Sequence, residues 1–148
     1  MSDAVAEAAT AHLATSIPVA HRMGVRVIEV RPGFAATEVP LAENTNHVGT
    51  MYAGVLFTVA ELLGGLLAVA TFDPARYFPI VKDLRIRFRK PATTDIRARA
   101  TLDAGTVAAA IEAADTSGKA DYVLNAELTD TNGTVVATTE GVYQVRRR

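Results

Sequence analysis

The 148-residue chain contains no cysteine. That absence excludes a thiol nucleophile, a cysteine-ligated zinc or iron–sulfur centre and any disulfide framework, and it is compatible with a reducing compartment. Serine is nearly as scarce: Ser2, Ser16 and Ser117 are the whole set. None stands in a nucleophile elbow, so a Ser-His-acid triad finds no support. His12, His21 and His47 have no metal-ligand spacing, and no metal is expected. Gly33, Gly49, Gly64 and Gly65 form no phosphate loop or dinucleotide fingerprint. Fifteen basic residues against sixteen acidic ones leave a formal charge of −1, so global charge points to no nucleic-acid partner. The opening MSDAVAEAAT lacks the basic start and apolar run of a signal peptide, which makes the cytoplasm the expected location.

No repeat, linker or composition shift divides the chain, and its length suffices for one buried core. The expectation is a single domain over 1–148, with a weak Ala-rich helix over 1–20 and a core over about 24–145. VRVIEVRPGFAATEVPL alternates and turns at Arg31-Pro32-Gly33, which predicts a hairpin of strands near 25–31 and 34–40. After the polar loop AENTNHVG, Thr50 is the expected N-cap of a helix from Met51 to Thr71. This stretch is apolar on every side and carries one charge, Glu61. A carboxylate in mid-span is costly in lipid, so a helix covered inside a folded protein is the better reading than a membrane span.

The remainder reads as strands. IVKDLRIRFRKP puts Lys82, Leu84, Ile86 and Phe88 on one face and Asp83, Arg85, Arg87 and Arg89 on the other. DIRARATL alternates again. VAAAIEAADT has helix propensity, but its place between turn signals and strands makes strand the expectation. ADYVLNAELTD, the Asn132-Gly133 turn and TVVATTEGVYQV complete the set. The predicted class is α+β: a long central helix wrapped by a curved antiparallel sheet, with an additional N-terminal helix. One thin sheet cannot cover such a helix completely, so a second copy of the chain is expected to close it.

A helix start offers unpaired N–H groups to an anion or a developing negative charge. Ala53, in the first turn, supplies such a donor, and Ala53 and Gly54 are small enough for close approach. Glu61 lies eight residues further on, too far along one helix for both to hold the same reacting carbon. A twofold partner would bring its own Glu61 opposite Ala53. Burial should raise the pKa of Glu61 toward that of a general base. A structural interface carboxylate is the other use such a residue could have.

The segment Asn46, Gly49, Tyr52-Ala53-Gly54, Phe57 and Glu61 resembles the active-site segment of hot-dog-fold thioesterases of the phenylacetate-pathway, PaaI-like type. LRIRFRKPATTDIRARATL and DTNGTVVATTEGVYQV extend the resemblance over roughly 24–145. It implies a hot-dog fold, a homodimer or a tetramer built from dimers, and hydrolysis of acyl-CoA thioesters with CoA as part of the substrate and no separate cofactor. Carried over, Glu61 is the base or nucleophile, the Ala53 N–H of the opposite protomer is the oxyanion donor, and Asn46 positions water or carbonyl by hydrogen bonding. Gly54 permits close packing, its own N–H pairing with Thr50. Tyr52 stands where the family usually has histidine, Ala53 where it has the first glycine, and Glu61 where aspartate is commoner. His47 and Tyr52 are candidate substrate contacts, and Gly65 leaves room for an acyl chain. Arg89 and Lys90, beside Pro91, are candidate contacts for CoA phosphates, whereas Arg85 and Arg87 would keep the outer face soluble. Two other readings stay open: a catalytically silent acyl-CoA or fatty-acyl binding protein, and a hydroxyacyl-thioester dehydratase. Dehydratase relatives generally use an Asp-His pair, to which Tyr52 and the isolated His47 give little support.

Overall fold

The computed structural model describes residues 2–148. The chain opens with α1 (Ser2–Ser16) and α2 (Pro18–Arg22), separated at Ile17 because Pro18 cannot continue α1 and instead takes the first position of the next helix. The hairpin β1 (Arg26–Arg31) and β2 (Phe34–Val39) follows, turning through Gly33 at φ 78°. The helix α3 (Ala53–Thr71) comes next, then β3 (Tyr77–Phe88), β4 (Ile96–Thr101), α4 (Ala104–Ser117), β5 (Lys119–Thr129) and β6 (Val135–Arg147). The six strands form one antiparallel sheet in the order β1-β2-β4-β5-β6-β3. It curves around α3, the hot-dog arrangement expected from the sequence.

Alternation decides which face of each strand meets the helix. On β5, Ala120, Tyr122, Leu124, Ala126 and Leu128 are buried while their neighbours are exposed. Val59, Leu63 and Leu67 of α3 are completely enclosed and pack in the same cluster as Ile96, Leu128 and Val145. Burying each such side chain stabilises the fold by about 1.5–3 kcal/mol relative to leaving it in water. The buried Thr37 hydroxyl of β2 donates to the Val59 carbonyl at 2.9 Å, pinning the helix to the sheet. The apolar character of α3, sufficient by length and hydropathy for a membrane span, is thus accounted for by packing.

Three local expectations are corrected. Residues 107–116 are helix, within α4, because the local signals agree with one another. Asp103 caps the helix by accepting from the Thr106 N–H at 2.8 Å, and Gly118 ends it in a left-handed conformation, φ 87°. Val107, Ala110, Ile111 and Ala114, spaced at the helical period, are the residues that turn inward. Second, α3 begins at Ala53 with Tyr52 as N-cap rather than Thr50, since Met51 and Tyr52 spend their N–H groups on the carbonyls of Ala92 and Asn44 in extended backbone. Third, a bulge between Val81 and Asp83 makes Lys82 an extra residue in β3. Val81 therefore joins Leu84, Ile86 and Phe88 on the helix side, and Lys82 reaches Asp121 at 2.7 Å on the outer side.

The two sheet edges are finished differently. β1 is covered by α1, and the Val27 N–H donates to the Thr10 hydroxyl of that helix at 2.8 Å. β3 pairs with β6 alone, leaving a twelve-residue edge without a second strand. Beside this edge Phe57 and Val69 of α3, and Val81 and Phe88 of β3, remain exposed.

The ring of Tyr143 slides beneath α3 at Gly64, where an added Cβ would stand 1.9 Å from the ring. Gly64→Ala is expected to destabilise the protein by about 1–3 kcal/mol through overpacking. Gly65→Ala, with nothing near its added carbon, should be neutral or stabilising by up to about 1 kcal/mol through helix propensity. Equilibrium denaturant unfolding of both variants tests the contrast.

Candidate active site at the start of the central helix

The loop before α3 is built by Asn46. Its Oδ1 accepts from the N–H groups of Val48 and Thr50, at 3.0 and 3.1 Å, while its Nδ2 donates to the Thr50 hydroxyl at 2.8 Å. The Thr50 carbonyl accepts from the Asn46 N–H at 2.7 Å. These bonds deliver the chain to the helix start with Thr50 fully engaged, so Thr50 neither caps α3 nor takes the Gly54 N–H. One Nδ2 hydrogen of Asn46 is left over for another acceptor.

At the helix start itself, the Tyr52 carbonyl accepts from Val55 and Leu56. Tyr52 makes no side-chain cap bond, and the N–H groups of Ala53 and Gly54 have no acceptor among the described residues. Two aligned donors therefore remain free at the positive end of a nineteen-residue helix. The Tyr52 ring folds over Gly54, where an added Cβ would lie 2.6 Å from Cε2. A larger residue at position 54 would make this exposed ring swing aside.

The Ala53 N–H opens onto a cleft of about 380 Å³ lined by Asn46, Ala53, Leu56, Phe88, Arg89 and Lys90, among others. Arg89 and Lys90 arrive because both of their N–H groups bond to the Val136 carbonyl, which fixes the end of β3 against β6. Asn46 and Ala53 of one segment and Arg89 and Lys90 of another, all candidates on sequence grounds, meet at this one opening, whereas Tyr52, Gly54 and Gly65 are not in its lining. His47 is exposed in the loop and does not line this cleft.

Glu61 sits two turns into α3, on the stripe Ala53, Phe57, Glu61, Gly65, Val69 that the sheet leaves uncovered. Eight residues of helical rise separate it from Ala53 by about 12 Å, so one chain does not bring the two to the same atom. Its carboxylate makes no hydrogen bond or ion pair among the described residues, and burial without a partner raises its pKa above the ordinary 4.5. Gly65, one turn on, leaves open space beside it.

Sequence reading did not single out Tyr143. Its hydroxyl approaches the Glu61 carbonyl at 3.4 Å, and its ring stacks on Tyr122, centroids 5.9 Å apart. Desolvation and the nearby Glu61 charge push the Tyr143 phenol upward, while burial takes Tyr122 to about 12. Both phenols stay protonated at neutral pH. The sequence signal was the pair Gly64 and Gly141, both of which crowd this ring, but only the fold shows that they meet it.

The sheet clasping α3 defines a hot-dog fold, and similarity to solved structures sets the chain among the PaaI-like thioesterases. Residues 6–145 match the family described as a domain of unknown function, DUF4442, and the chain belongs to that family. Among solved structures, it is similar to a Pseudomonas aeruginosa protein of unknown function described as a probable thioesterase. Identity is 44% over 96% of both chains, with a TM-score of 0.89. A Chlorobaculum tepidum protein of unknown function shares the fold at 18% identity and TM-score 0.85, over 99% of this chain and 97% of the other. A second Pseudomonas aeruginosa protein, a mutant thioesterase, does so at 14% identity and TM-score 0.77, over 97% and 94%. Comparison with curated proteins finds no match.

The raised pKa of Glu61 has a consequence for stability. Folding disfavours the charged carboxylate, so the penalty is absent below the unfolded value of 4.5 and grows as pH rises through the folded value. Glu61→Gln should therefore melt at a higher temperature than the native protein at neutral pH, with the difference closing toward acid. Thermal unfolding of the two from about pH 4 to pH 8 measures this, and a difference constant with pH would contradict it.

Proposed function

We propose that this protein hydrolyses acyl-CoA thioesters at a site shared between two copies of the chain. The observation that carries the reading is the N–H of Ala53, without an acceptor among the described residues and open to a cleft edged by Arg89 and Lys90. A donor so placed favours an oxygen that becomes negative during reaction, and the basic rim suits a phosphorylated substrate. Descriptions of similar proteins as thioesterases point the same way.

The helical rise of about 12 Å between Ala53 and Glu61 on one helix calls for a partner. The uncovered α3 stripe and the open β3 edge are continuous, and a twofold copy pairing along β3 would lay the two stripes against one another. Glu61 then faces Ala53 of the partner subunit. Glu61 takes a proton from water, and the water oxygen bonds to the thioester carbon. The carbonyl oxygen becomes an oxyanion held by the partner's Ala53 N–H. As the carbonyl re-forms, the C–S bond breaks, and the departing thiolate takes the proton back from Glu61, leaving acid and free CoA. A carboxylate with a raised pKa is better suited to receive and return that proton.

In this reading Asn46 shapes the loop that presents the helix start and offers its spare Nδ2 hydrogen to water or carbonyl. Tyr52 and Gly54 flank Ala53 in the chain without lining the cleft, Gly65 leaves space for the acyl chain, and His47 has no part in the chemistry.

Two substitutions test the reading by release of free thiol from short, medium, long and aromatic acyl-CoAs. Glu61→Gln should lower kcat by about 10²–10⁴-fold while acyl-CoA binding persists. Ala53→Pro deletes the donor where proline suits a first helical turn, Tyr52 already having the extended ψ of 135° that proline demands. It should cost about 10²–10³-fold in kcat with little loss of stability. Binding of acyl-CoA without turnover by the native protein would replace the hydrolase with a ligand-binding protein.

A further inference from the structure

A cleft of about 510 Å³ lies away from the helix start, on the outer face of the sheet. Arg85 and Arg87 of β3, Arg99 of β4 and Arg89 just beyond β3 project into it, with Glu127 and Glu140 as the carboxylates of its lining. Arg99 pairs with Glu127 at 3.4 Å. Arg85 stands opposite Glu140 in the strand register, yet neither it nor Arg87 nor Arg89 forms an ion pair among the described residues. Three guanidinium groups thus recur at alternate positions along one strand, about 7 Å apart, and their repulsion is offset by no bonded carboxylate. Asn125 and Thr138 add neutral hydrogen-bonding groups, and Arg89 is held by the Thr138 hydroxyl at 3.3 Å.

Arg89 belongs to both clefts: it edges the opening at the Ala53 N–H and the outer arginine cleft. A ligand that leaves the helix start past Arg89 runs directly onto Arg87 and Arg85. Resting on the thioesterase reading above, we propose that the outer cleft is the seat of the phosphorylated adenosine of CoA. Arg89 meets the pyrophosphate at the strand end, and Arg85 and Arg87 take the ribose phosphate. Forked guanidinium donors suit phosphate oxygens, and a concave cavity of this volume is the size of a small-ligand site rather than of a protein-docking stripe.

The test compares native protein with the double variant Arg85→Gln, Arg87→Gln on an acyl-CoA and on the matching acyl-pantetheine, which lacks the nucleotide. The variant should raise KM for acyl-CoA about tenfold, leave kcat in place and leave acyl-pantetheine kinetics untouched. Calorimetric titration with adenosine 3′,5′-bisphosphate, which needs no turnover, should show binding to native protein that the variant loses. If no thioester is hydrolysed but this binding and its loss are seen, the nucleotide site stands and the hydrolase reading falls. An unchanged KM for acyl-CoA, equal effects on both substrates, or no bisphosphate binding to native protein would overturn the proposal. So would a loss confined to acyl groups carried on an acidic carrier protein, which would make the cleft a protein-docking surface.

Discussion

Burial of α3 in the concave face of the sheet is the interaction on which the rest of the molecule depends. The helix is apolar around its whole circumference, and a single sheet can wrap only part of it. Val59, Leu63 and Leu67 are enclosed, while Phe57, Gly65 and Val69 are not. The geometry of enclosure therefore leaves one stripe of apolar surface beside one open strand edge. Covering both at once is what a second copy of the chain would do, and the opposite edge of the sheet, closed by α1, offers no such surface.

The same helix supplies both halves of the proposed chemistry, and each is a group the fold leaves unsatisfied. Free N–H groups at Ala53 and Gly54 and an unpaired, half-buried carboxylate at Glu61 each work against stability in the isolated chain. A helix start capped by Thr50 and a neutral residue at position 61 would give a more stable protein with nothing to offer a carbonyl oxygen or a water molecule. Protein groups that remain unpaired in the absence of ligand are the ones free to interact with it.

β3 joins the inner and outer surfaces. Its bulge at Lys82 sets which residues face the helix: Val81, Leu84, Ile86 and Phe88 turn inward, and Arg85 and Arg87 turn out. At its end Arg89 touches the opening at the helix start and the arginine cleft together. The arginines of β3 and β4 are thus sorted by the pleat into separate environments, with Arg97 drawn to Glu38 and Arg99 to Glu127, while Arg85 and Arg87 stay unpaired among the described residues.

Hydrophobic period and turn chemistry are local properties, and what depends on them alone could be read without coordinates: the β1–β2 hairpin, the span of α3 and the alternating strands that clasp it. Ala53 and Glu61 could be proposed on local grounds as well, a helix start and a lone carboxylate, whereas Asn46 entered through the family resemblance of the segment that carries all three. Where local signals conflicted, the reading failed. Residues 107–116 went to strand because their neighbours were strands, although Asp103, Gly118 and the spacing of Val107, Ala110, Ile111 and Ala114 were already those of a helix. A bulge leaves no mark on composition, so Lys82 was placed on the wrong face. The sequence by itself determined a helix too apolar to stand in water with one carboxylate on it, because the side chains alone decide that. Only the tertiary structure decided which stripe of the helix stays uncovered, that Thr50 is spent on Asn46, that Tyr143 lies under Gly64, and that Arg89 joins two clefts. Those depend on the order and curvature of the strands, which bring together residues far apart in the chain.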